Sequence, residues 1–580
     1  MKKYIFICMI FVFLHFAHAQ DSFFDDSDLN DESANSESGQ SLSRNFEFSG
    51  FAALGIRFYP HPDLKRAEAV PNFGINLKHS SSKTEIDSHF KFNMRAILEY
   101  PLDFIDECTM RAYLGDFVLS TGKMKLVWGR GDMLHVLDVF NANDFTDFTI
   151  PSYIDRRIGE PMIHLAYNAP IALRLEAAWT PLMTPDRLSL KGPWVPSQIE
   201  EAKQKLSSTL FDGKLVDLFP SQKIENIMYK TIKNTLTTIA SPPANITVNF
   251  PVLSDEEIDQ ISSQFNSIQK PVIKAILKSL SGKPITIDIS GTLTEDKINE
   301  IAEKESKKYT KFIIEEFKTS LQKAGTIIQN FDLDPFIKIG MNSFLPDMNQ
   351  IKYGQYGLRL SGSLGPTDMA CQYYFGHYKT PSIDVSAMVD KAMSGGNIRD
   401  CVYYDPIHIF GMDFGAAIFM FNFRSEAAYY MSYDFKGNNP AVHNNSIQWV
   451  LGFDVDIPLN NINLNIQNIG SYILGFKNVK ENNKNGFIDM DWNKAQKASN
   501  NKLVVNISDS WLHENLTDSI TIIWGIEHND AVIMPKIKYR IKDEFYVEGT
   551  GAYIYAKDKK SEFASWKNNH FVQLSFEYHF

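Results

Sequence analysis

The chain has 580 residues, a formal net charge of −11 and an aromatic content of 13%, with 42 Phe and 24 Tyr. This acidic balance argues against nucleic acid as a partner, because binding to a phosphate backbone depends on Lys and Arg. Its four cysteines are too few for a disulfide-based scaffold.

The N-terminal segments precede any regular pattern. Residues 1–19 have the layout of a secretory signal peptide, with two lysines, an apolar run up to Phe16, and the small residues Ala17 and Ala19 at a cleavage point. The run is too short for a membrane anchor, which needs roughly 20 apolar residues. Residues 20–44 are acidic, rich in serine and poor in bulky side chains. This composition predicts a disordered segment in the periplasm.

From residue 45, apolar and polar residues alternate over much of the chain. In IDSHFKFNMRAILEY the apolar residues from Phe90 to Tyr100 share one face, and Arg95 lies on the other. In IALRLEAAW, Arg174 and Glu176 oppose apolar residues in the same way. A soluble β-sandwich also alternates. The export signal, the many repeats and the aromatic residues at strand ends nevertheless favour a closed barrel in lipid, which pairs every backbone group.

Connection lengths predict the topology of this barrel. Turn-rich short connections are SSSKTE, STGK, NAPIA, GSLGPT, DIPLNN and IKDE, and long ones lie near 60–73, 130–161, 379–404, 435–445, 477–499 and 557–568. The two kinds alternate, as they do when short turns face the periplasm and long loops face outward. The sequence thus predicts an all-β transmembrane antiparallel β-barrel of about 16–18 strands, with a first part over 45–182 and a second over 351–580.

Residues 183–350 interrupt the alternation. Ile258, Ile261 and Phe265 recur at helical spacing, and SDEE, from Ser254, is typical of a capping box that opens a helix. ITVNFPVLSDEEIDQI is echoed by ITIDISGTLTEDKINEI, which indicates either an internal duplication or a chance similarity between two capped helices. We predict a mainly helical (α+β) insertion that is extracellular or plugs the pore.

The last strand, HFVQLSFEYHF, alternates up to its final residue. Its apolar row is Val572, Leu574, Phe576, Tyr578 and Phe580. This strand resembles the C-terminal targeting signal of bacterial outer-membrane barrels. The resemblance implies the outer membrane of a Gram-negative-type or other diderm bacterium. It also implies outer-membrane lipid, the barrel-assembly machinery and periplasmic chaperones as partners.

Several barrel segments resemble a family of outer-membrane barrels catalogued as domain of unknown function 1302. The segments are GKMKLVWGRGDMLHVLDVFNANDF, LRLEAAWTPLMTPDRL, YGLRLSGSLGPTDMACQYYFGHYKTP and FGMDFGAAIFMFNFRSEAAYYMSYDFKGNNP. The family has a glycine, a basic residue and a Trp-Gly pair before a helical loop with an Asn and an Asp, here Gly122, Lys123, Trp128, Gly129, Asn141 and Asp144. The match covers most of the barrel but not 183–350, and departs at Arg130, where the family more often has an acidic residue. It implies a channel of unsettled substrate, with hydrophobic or lipid-like cargo by analogy.

Charged residues on the polar faces are the candidate lumen residues. The predicted pore-lining set is Arg95, Lys123, Lys125, Arg174, Glu176, Arg359, Asp413, Arg424, Glu426, Lys536, Lys538 and Arg540. Each one has an ordinary role in solvation or inter-strand pairing, but together they set a field that selects solutes by charge. The surplus of Lys and Arg in this set favours anionic solutes. Arg130-Gly131-Asp132 spells an adhesion tripeptide, although a chance occurrence in a chain of this length is not rare.

Two functions are compatible with these features. The first is an outer-membrane channel for a small hydrophobic or anionic solute, gated by the inward loop 130–161. The alternative is an adhesin or receptor that displays the 183–350 insertion on a closed barrel. No serine-hydrolase, zinc-protease, paired-cysteine or phosphate-loop motif is present. We therefore expect no enzyme, metal or cofactor, with an outer-membrane lipase built on Ser and His as the remaining enzymatic alternative.

Overall fold

The structure is a computed structural model. It describes residues 46–61, 67–93, 101–132, 134–147, 153–170, 172–189, 193–195, 221–238, 245–249, 254–263, 273–275, 277–278, 282, 284–289, 292–329, 350–383, 401–439, 442–481, 497–557 and 561–580. The predicted signal peptide, the acidic segment 20–44 and Arg95 lie outside the described residues.

Eighteen strands of the described chain form one sheet that closes on itself. They are β1 Phe46–Phe58, β2 Ala67–Ser80, β3 Thr84–Asn93, β4 Ile105–Leu114, β5 Phe117–Met124, β6 Glu160–Ala169, β7 Leu173–Thr180, β8 Gln355–Leu364, β9 Thr367–His377, β10 Pro406–Ile418, β11 Phe421–Met431, β12 Ser446–Ile457, β13 Ile462–Ile473, β14 Ser499–Trp511, β15 Leu516–Gly525, β16 Asp530–Lys542, β17 Phe545–Ala556 and β18 Phe571–His579. Each strand pairs with the next along the chain, and β1 also pairs antiparallel with β18. The predicted closed antiparallel barrel is confirmed, at the upper end of the predicted strand number.

The alternation of the sequence becomes an outward apolar face and an inward polar face. Across the closing pair, Leu54 lies opposite Phe576 and Arg57 lies opposite Gln573. Leu54 and Phe576 are exposed on the outside, whereas Arg57 is buried inside. The last residue completes the closure, because the backbone N–H of Gly50 donates to the carbonyl of Phe580 at 2.8 Å and the reverse bond measures 3.0 Å. The alternating final strand is therefore the seam of the barrel.

The two ends of the barrel differ in their connections. One end, here called the short-turn end, has the turns at 81–83, 115–116, 170–172, 365–366, 419–420, 458–461, 512–515 and 543–544. The other end, the long-loop end, carries all remaining connections, of which only 526–529 is short. One predicted turn was wrong: STGK lies inside β5, and the chain turns instead at Gly115, whose φ of +68° favours glycine.

Helices and short strands lie in the connections. The helices are α1 Tyr153–Arg156, α2 Ser221–Thr237, α3 Asp255–Ser262, α4 Glu295–Gln329 and α5 Phe476–Glu481, and 3₁₀ turns occupy Pro101–Phe104, Ile351–Tyr353 and Glu562–Trp566. Short strand pairs join Asp144–Phe145 to Arg187–Leu188, Asn245–Asn249 to Pro284–Asp288, and Ser382–Ile383 to Val402–Tyr403. In the described residues, no helix combines the length and the hydropathy needed to cross a membrane.

The short strands of the two echoed segments pair with each other. Thr247 pairs with Thr286 at the centre of the two short antiparallel strands, and Ile246 pairs with Ile287. These threonines are also equivalent in the two echoed sequences. The predicted capping box is present, because the Glu257 N–H donates to the Ser254 hydroxyl and the Ser254 N–H donates to the Glu257 carboxylate.

Candidate functional site

The connection between β5 and β6 is described at residues 125–132, 134–147 and 153–159, here called the inward loop, and these residues fold onto the inner face of the barrel. Trp128, Leu137 and Phe140 are fully buried there. The Phe140 ring packs edge-on against Trp128 at 5.0 Å and against Tyr374 of β9 at 5.1 Å. The remaining partners are apolar residues of the inner wall, Met162, Ala178, Ile407, Ile409, Ala428 and Val450. The predicted inward course of this connection is therefore present in the structure.

Two glycines in the wall make room for this loop. A Cβ atom on Gly357 of β8 would lie 2.5 Å from the Phe140 ring and 2.7 Å from Trp128. A Cβ atom on Gly411 of β10 would lie 2.2 Å from the Leu137 side chain. Real Cβ atoms do not approach so closely, so both wall positions require glycine while the loop occupies this place.

The carboxylate of Glu426, on the inner face of β11, holds the loop backbone. It accepts hydrogen bonds from the backbone N–H groups of Arg130 at 2.7 Å and Gly131 at 2.6 Å, and Val136 and Leu137 bind it at 2.8 and 3.1 Å. His135 contacts it through Nδ1 at 2.9 Å. A buried carboxylate that accepts several N–H groups is a strong anchor, because each bond is charge-assisted. We call this arrangement the Glu426 anchor.

The Glu426 anchor requires a glycine at position 129. Gly129 has a φ of +112°, and a Cβ atom there would lie 2.3 Å from Oε1 of Glu426. The Trp-Gly pair that the family resemblance singled out thus has two physical roles. Trp128 packs on the wall, and Gly129 lets the carboxylate approach the backbone.

Asn141 ties together the two ends of the inward loop. Its amide donates to the carbonyl oxygens of Met124 and Ile158, each at 2.9 Å, and its oxygen accepts from the Leu126 N–H at 2.9 Å. Asp144 accepts from the N–H of Thr146 at 2.9 Å, and its carboxylate approaches the Arg187 guanidinium of the crossing segment at 3.7 Å. No helix occupies 134–147, so the helical loop implied by the resemblance is limited in the described residues to the single turn α1.

The Arg130-Gly131-Asp132 tripeptide faces the wall of the lumen. Arg130 forms ion pairs with Asp413 of β10 and Asp368 of β9, each at 3.0 Å. Asp132 pairs with Arg424 of β11 at 2.6 Å. Both charged side chains are thus engaged inside the barrel, a geometry that does not suit binding to an adhesion receptor.

The inward loop also reaches the far side of the lumen. Asp147 forms an ion pair at 3.0 Å with Arg57 of β1. Within the loop, Arg157 Nε donates to the buried Asp138 carboxylate at 2.9 Å, and burial raises the pKa of Asp138 against the opposing effect of Arg157. Since the loop bonds to both β1 and β11, it narrows the lumen rather than lining one wall only.

A second segment leads from the wall of the inward loop to the opposite side of the barrel. This crossing segment, described at residues 181–189 and 193–195, begins after β7, where the Thr184 N–H donates to Glu160 at 2.8 Å. At its other end, buried Trp194 packs on the inner face of β16–β18, 6.2 Å from Phe571 and 5.9 Å from Trp566. β7 and β17 lie on opposite sides of the ring of eighteen strands. The described first residues of the 183–350 insertion therefore contact both sides of the barrel.

The predicted pore-lining residues fall into two separate groups. On the wall beneath the inward loop, Arg359 pairs with Asp413 at 2.7 Å and approaches Glu176 to 3.8 Å. Glu176 also binds His164 and Arg174, at 3.1 and 3.2 Å, and Arg424 and Glu426 belong to the same wall. On the opposite wall lie Lys536, Lys538 and Arg540, at alternate inward positions of β16.

Two predicted lysines lie outside both groups. Lys123 shares an alternate row of β5 with exposed Phe117, opposite to the row of buried Ser120 and Met124. The alternation therefore puts Lys123 on the outward row, and its ammonium turns to the Ile105 carbonyl at the barrel rim. Lys125 follows the end of β5, where it pairs with Asp106 at 2.7 Å.

Sequence reasoning missed several residues of the constriction. Glu160 and Gln355 head β6 and β8 and bind each other at 2.8 Å, and Lys379 binds the same Gln355 side chain at 2.7 Å. Alternation could have identified Glu160, because it shares a row with His164. The alternation of apolar and polar residues does not identify Gly357 or Gly411, because a glycine has no side chain to indicate which face of the strand it lies on.

A buried Ser382–His443–Asp405 cluster lies among the long loops. His443 Nδ1 is 2.8 Å from both the Ser382 hydroxyl and the Asp405 carboxylate, and its Nε2 faces Thr380 at 3.2 Å. A catalytic triad needs serine and aspartate on different ring nitrogens. Tyr378 stacks on the histidine at 4.0 Å. The cluster thus joins two loops by hydrogen bonds. The absence of an enzymatic activity remains a prediction.

Among the described residues, no group of three or more His, Cys, Asp or Glu side chains is arranged to hold a metal ion. Cys108 and Cys371 have free thiols. Cys108 and Cys371 are exposed on the outer surface and Cys401 is buried in a loop.

Comparisons with known proteins add little to this geometry. No family model and no curated protein matches the chain. Among solved structures, a BenF-like porin from Pseudomonas fluorescens Pf-5 is 6% identical, with a TM-score of 0.39 over 92% of this chain and 97% of that one. OccAB4 of Acinetobacter baumannii is 8% identical, with a TM-score of 0.37 over 92% and 97% of the two chains. The channel DcaP of the same organism is 8% identical, with a TM-score of 0.35 over 94% and 100%. Similarities with TM-scores below 0.5 give no information on function, so the functional argument rests on the geometry of the lumen.

We predict that Glu426→Gln releases the inward loop. The amide retains one acceptor oxygen but cannot accept on its nitrogen, and each buried N–H left unpaired costs about 1–3 kcal/mol. Hydrogen exchange at amides 130–137 should accelerate accordingly. Glu85→Gln is the matched control, because this lumen carboxylate pairs only with the side chains of Arg111 and Lys78. Equal protection of 130–137 in both variants would contradict the role of the Glu426 anchor.

We predict that Trp194→Ala loosens the crossing segment. Removing a fully buried tryptophan costs about 3–5 kcal/mol, which is enough to expose 181–195 to limited proteolysis. Trp511→Ala serves as the control, since Trp511 is an exposed tryptophan at the short-turn end. If the crossing segment resists protease equally in both variants, Trp194 does not hold it.

Proposed function

We propose that the protein is an outer-membrane channel for a small solute, with a lumen narrowed by the inward loop and the crossing segment. The observation that carries this proposal is the division of a closed barrel into an apolar outside and a polar inside. A barrel with no free edge pairs all its backbone groups, which is the condition for crossing lipid. A β-barrel that spans a membrane has this division.

Exposed aromatic residues support the proposed membrane position. At the long-loop end the outward faces carry Tyr356, Tyr472, Trp524, Tyr553 and Tyr555, and at the short-turn end they carry Phe117, Trp511, Tyr539 and Phe545. Such aromatic girdles mark the two membrane interfaces of a barrel. In this proposal the short-turn end faces the periplasm, and the final strand targets the exported chain to the barrel-assembly machinery.

We propose an anionic solute rather than a hydrophobic one. The wall opposite the inward loop is polar on its inner face, with Asn506, Thr521, Thr550, Gln573 and Ser575 at inward positions. A hydrophobic cargo needs a continuous apolar surface. The apolar patch beneath the inward loop is already occupied by Trp128, Leu137 and Phe140.

A second candidate function is display of the insertion as an adhesin or receptor. This candidate is supported by the short antiparallel strand pair of the insertion and by the buried face of α2, which comprises Ile224, Met228, Ile232 and Leu236. The lumenal position of Trp194 favours a gate instead, since a display module has no need of an anchor inside the barrel.

Planar-bilayer recording tests the channel proposal. The purified protein should insert from detergent and give discrete conductance steps, and Glu426→Gln and Trp194→Ala should each raise the mean conductance by freeing a constriction. Glu85→Gln and Trp511→Ala should leave it unchanged. A protein that is freely soluble without detergent, or one that inserts and never conducts in any variant, would overturn the proposal. If deleting 190–335 abolishes binding to a partner cell and leaves permeability unchanged, the display function is correct.

The outward face of β18 provides a test of the membrane position. Leu574 points outward near the middle of the strand, and Ser575 points inward. Arginine on the lipid face near the bilayer midplane costs about 2–4 kcal/mol. We therefore expect Leu574→Arg to lower the free energy of unfolding in phospholipid bilayers by roughly that amount. Ser575→Arg should lower this free energy much less. Similar losses in both variants, measured by denaturant titration, would argue against a lipid-facing row.

A further inference from the structure

We infer that Lys536, Lys538 and Arg540 form an anion-binding track on the inner face of β16, and that a carboxylate or phosphate group binds there during passage. This inference rests on the proposed channel function. The three cations occupy alternate positions, and between them Ile537 and Tyr539 are exposed on the outside. Alternate residues of a strand lie roughly 7 Å apart, so one anion can move from each cation to the next.

The two lysines of the track pair with acids on the neighbouring strands. Lys536 pairs with Glu548 of β17 at 2.8 Å, and the lysine side chain is 37% exposed against 16% for the glutamate. Lys538 pairs with Glu577 of β18 at 2.9 Å, with similar exposures of 25% and 19%. Both lysine side chains are thus partly exposed even while they are paired.

Arg540 has an amide partner where the lysines have acids. Its Nε donates to the side-chain oxygen of Asn515 at 2.7 Å. Among the described residues, no carboxylate forms an ion pair with its guanidinium. The planar fork of an arginine binds carboxylate and phosphate oxygens in pairs. Arg540 thus gives the track a surplus of one positive charge, close to the short-turn end.

The track is not covered by either constriction. Among the described residues, the partners of its three side chains belong to the neighbouring strands and their turn. They are Asn515, Glu548, Glu577 and the Tyr546 ring, over which the Lys538 ammonium lies at 4.5 Å. The arginines of the wall beneath the inward loop have acids as partners. Arg359 is 7% exposed and pairs with Asp413, and Arg424 is 33% exposed and pairs with Asp132 and Asp454.

A second lumen cluster provides a matched control. Lys78 and Arg111 are about as exposed as the track residues, but both pair with Glu85, and Lys78 lies across the strand pair from Asp87. Two cations there face two acids, so the cluster has no net charge. Removing its cations changes the charge of the lumen by the same amount as removing two from the track.

Reversal potentials in a potassium chloride gradient test the inference. The wild-type channel should prefer chloride to potassium. The Lys538→Gln/Arg540→Gln variant should lower the chloride-to-potassium permeability ratio by about threefold or more, because charges that line the lumen set ion selectivity. Lys78→Gln/Arg111→Gln should change it much less. Inorganic phosphate added on the short-turn side should reduce the chloride current through the wild type and the control variant, and not through the track variant.

Each outcome has a distinct meaning. Conductance with a preference for potassium in the wild type, or an equal loss of selectivity in both double variants, overturns the anion track and leaves the channel proposal intact. Absence of conductance in every variant overturns the channel proposal, and the track with it. Should the double track variant fail to fold, Lys536→Gln and Arg540→Lys replace it. Lys536→Gln should reduce the preference for chloride, and Arg540→Lys should retain most of it. A larger loss of this preference in Arg540→Lys than in Lys536→Gln overturns the inference.

Discussion

The structure depends on the pairing of every strand with two neighbours, which closes the sheet. Closure leaves no free edge, and it divides the residues of each strand between a convex and a concave face. Because side chains alternate between the faces of a strand, a sequence with period two becomes a barrel with one apolar and one polar surface. The bond between Gly50 and Phe580 is the last of these pairings. Every feature of the lumen is built on the concave face that results.

The interior is divided into two unlike walls by the way the loops pack. On one wall, glycines at 357 and 411 leave hollows that Trp128, Phe140 and Leu137 fill, and the Glu426 anchor holds the loop backbone. Charges on this wall are paired with one another, and several, such as Glu426, Asp413 and Arg359, are buried, so they stabilise the constriction. On the other wall, polar side chains and the cations of β16 remain partly exposed. In the proposed channel, the solute binds to this second wall.

The lumen thus has a stable constriction next to an accessible charged surface. A buried carboxylate bonded to several backbone donors is costly to disrupt, since each donor would be left without a partner. A row of partly exposed lysines would bind anions weakly, which suits the proposed conduction because a solute must leave as readily as it enters. Our proposal therefore assigns restriction to one wall and selection to the other.

Much of the architecture follows from the sequence alone. Alternation is a local property of covalent geometry, so the inward rows of Glu176, Arg359 and Lys538 and the closing strand could be predicted without a structure. The capping box at Ser254 is equally local, because its bonds span three residues. The error at STGK arose from composition, since residues typical of turns also fit a strand whose neighbours supply the pairing.

Only the tertiary structure decided which of these residues meet. Glu426 binds a backbone segment almost three hundred positions earlier in the chain, and Trp194 packs on strands at the far end of the sequence. The two contacts depend on strand register and on the closure of the ring. Neither contact produces a periodic pattern in the sequence. Register and closure depend on the pairing of all eighteen strands and on the volume of the lumen that they enclose. The alternation of the sequence by itself determined the face of residues such as Glu176, Arg359 and Lys538, because it follows from covalent geometry, and the closed barrel determined their partners.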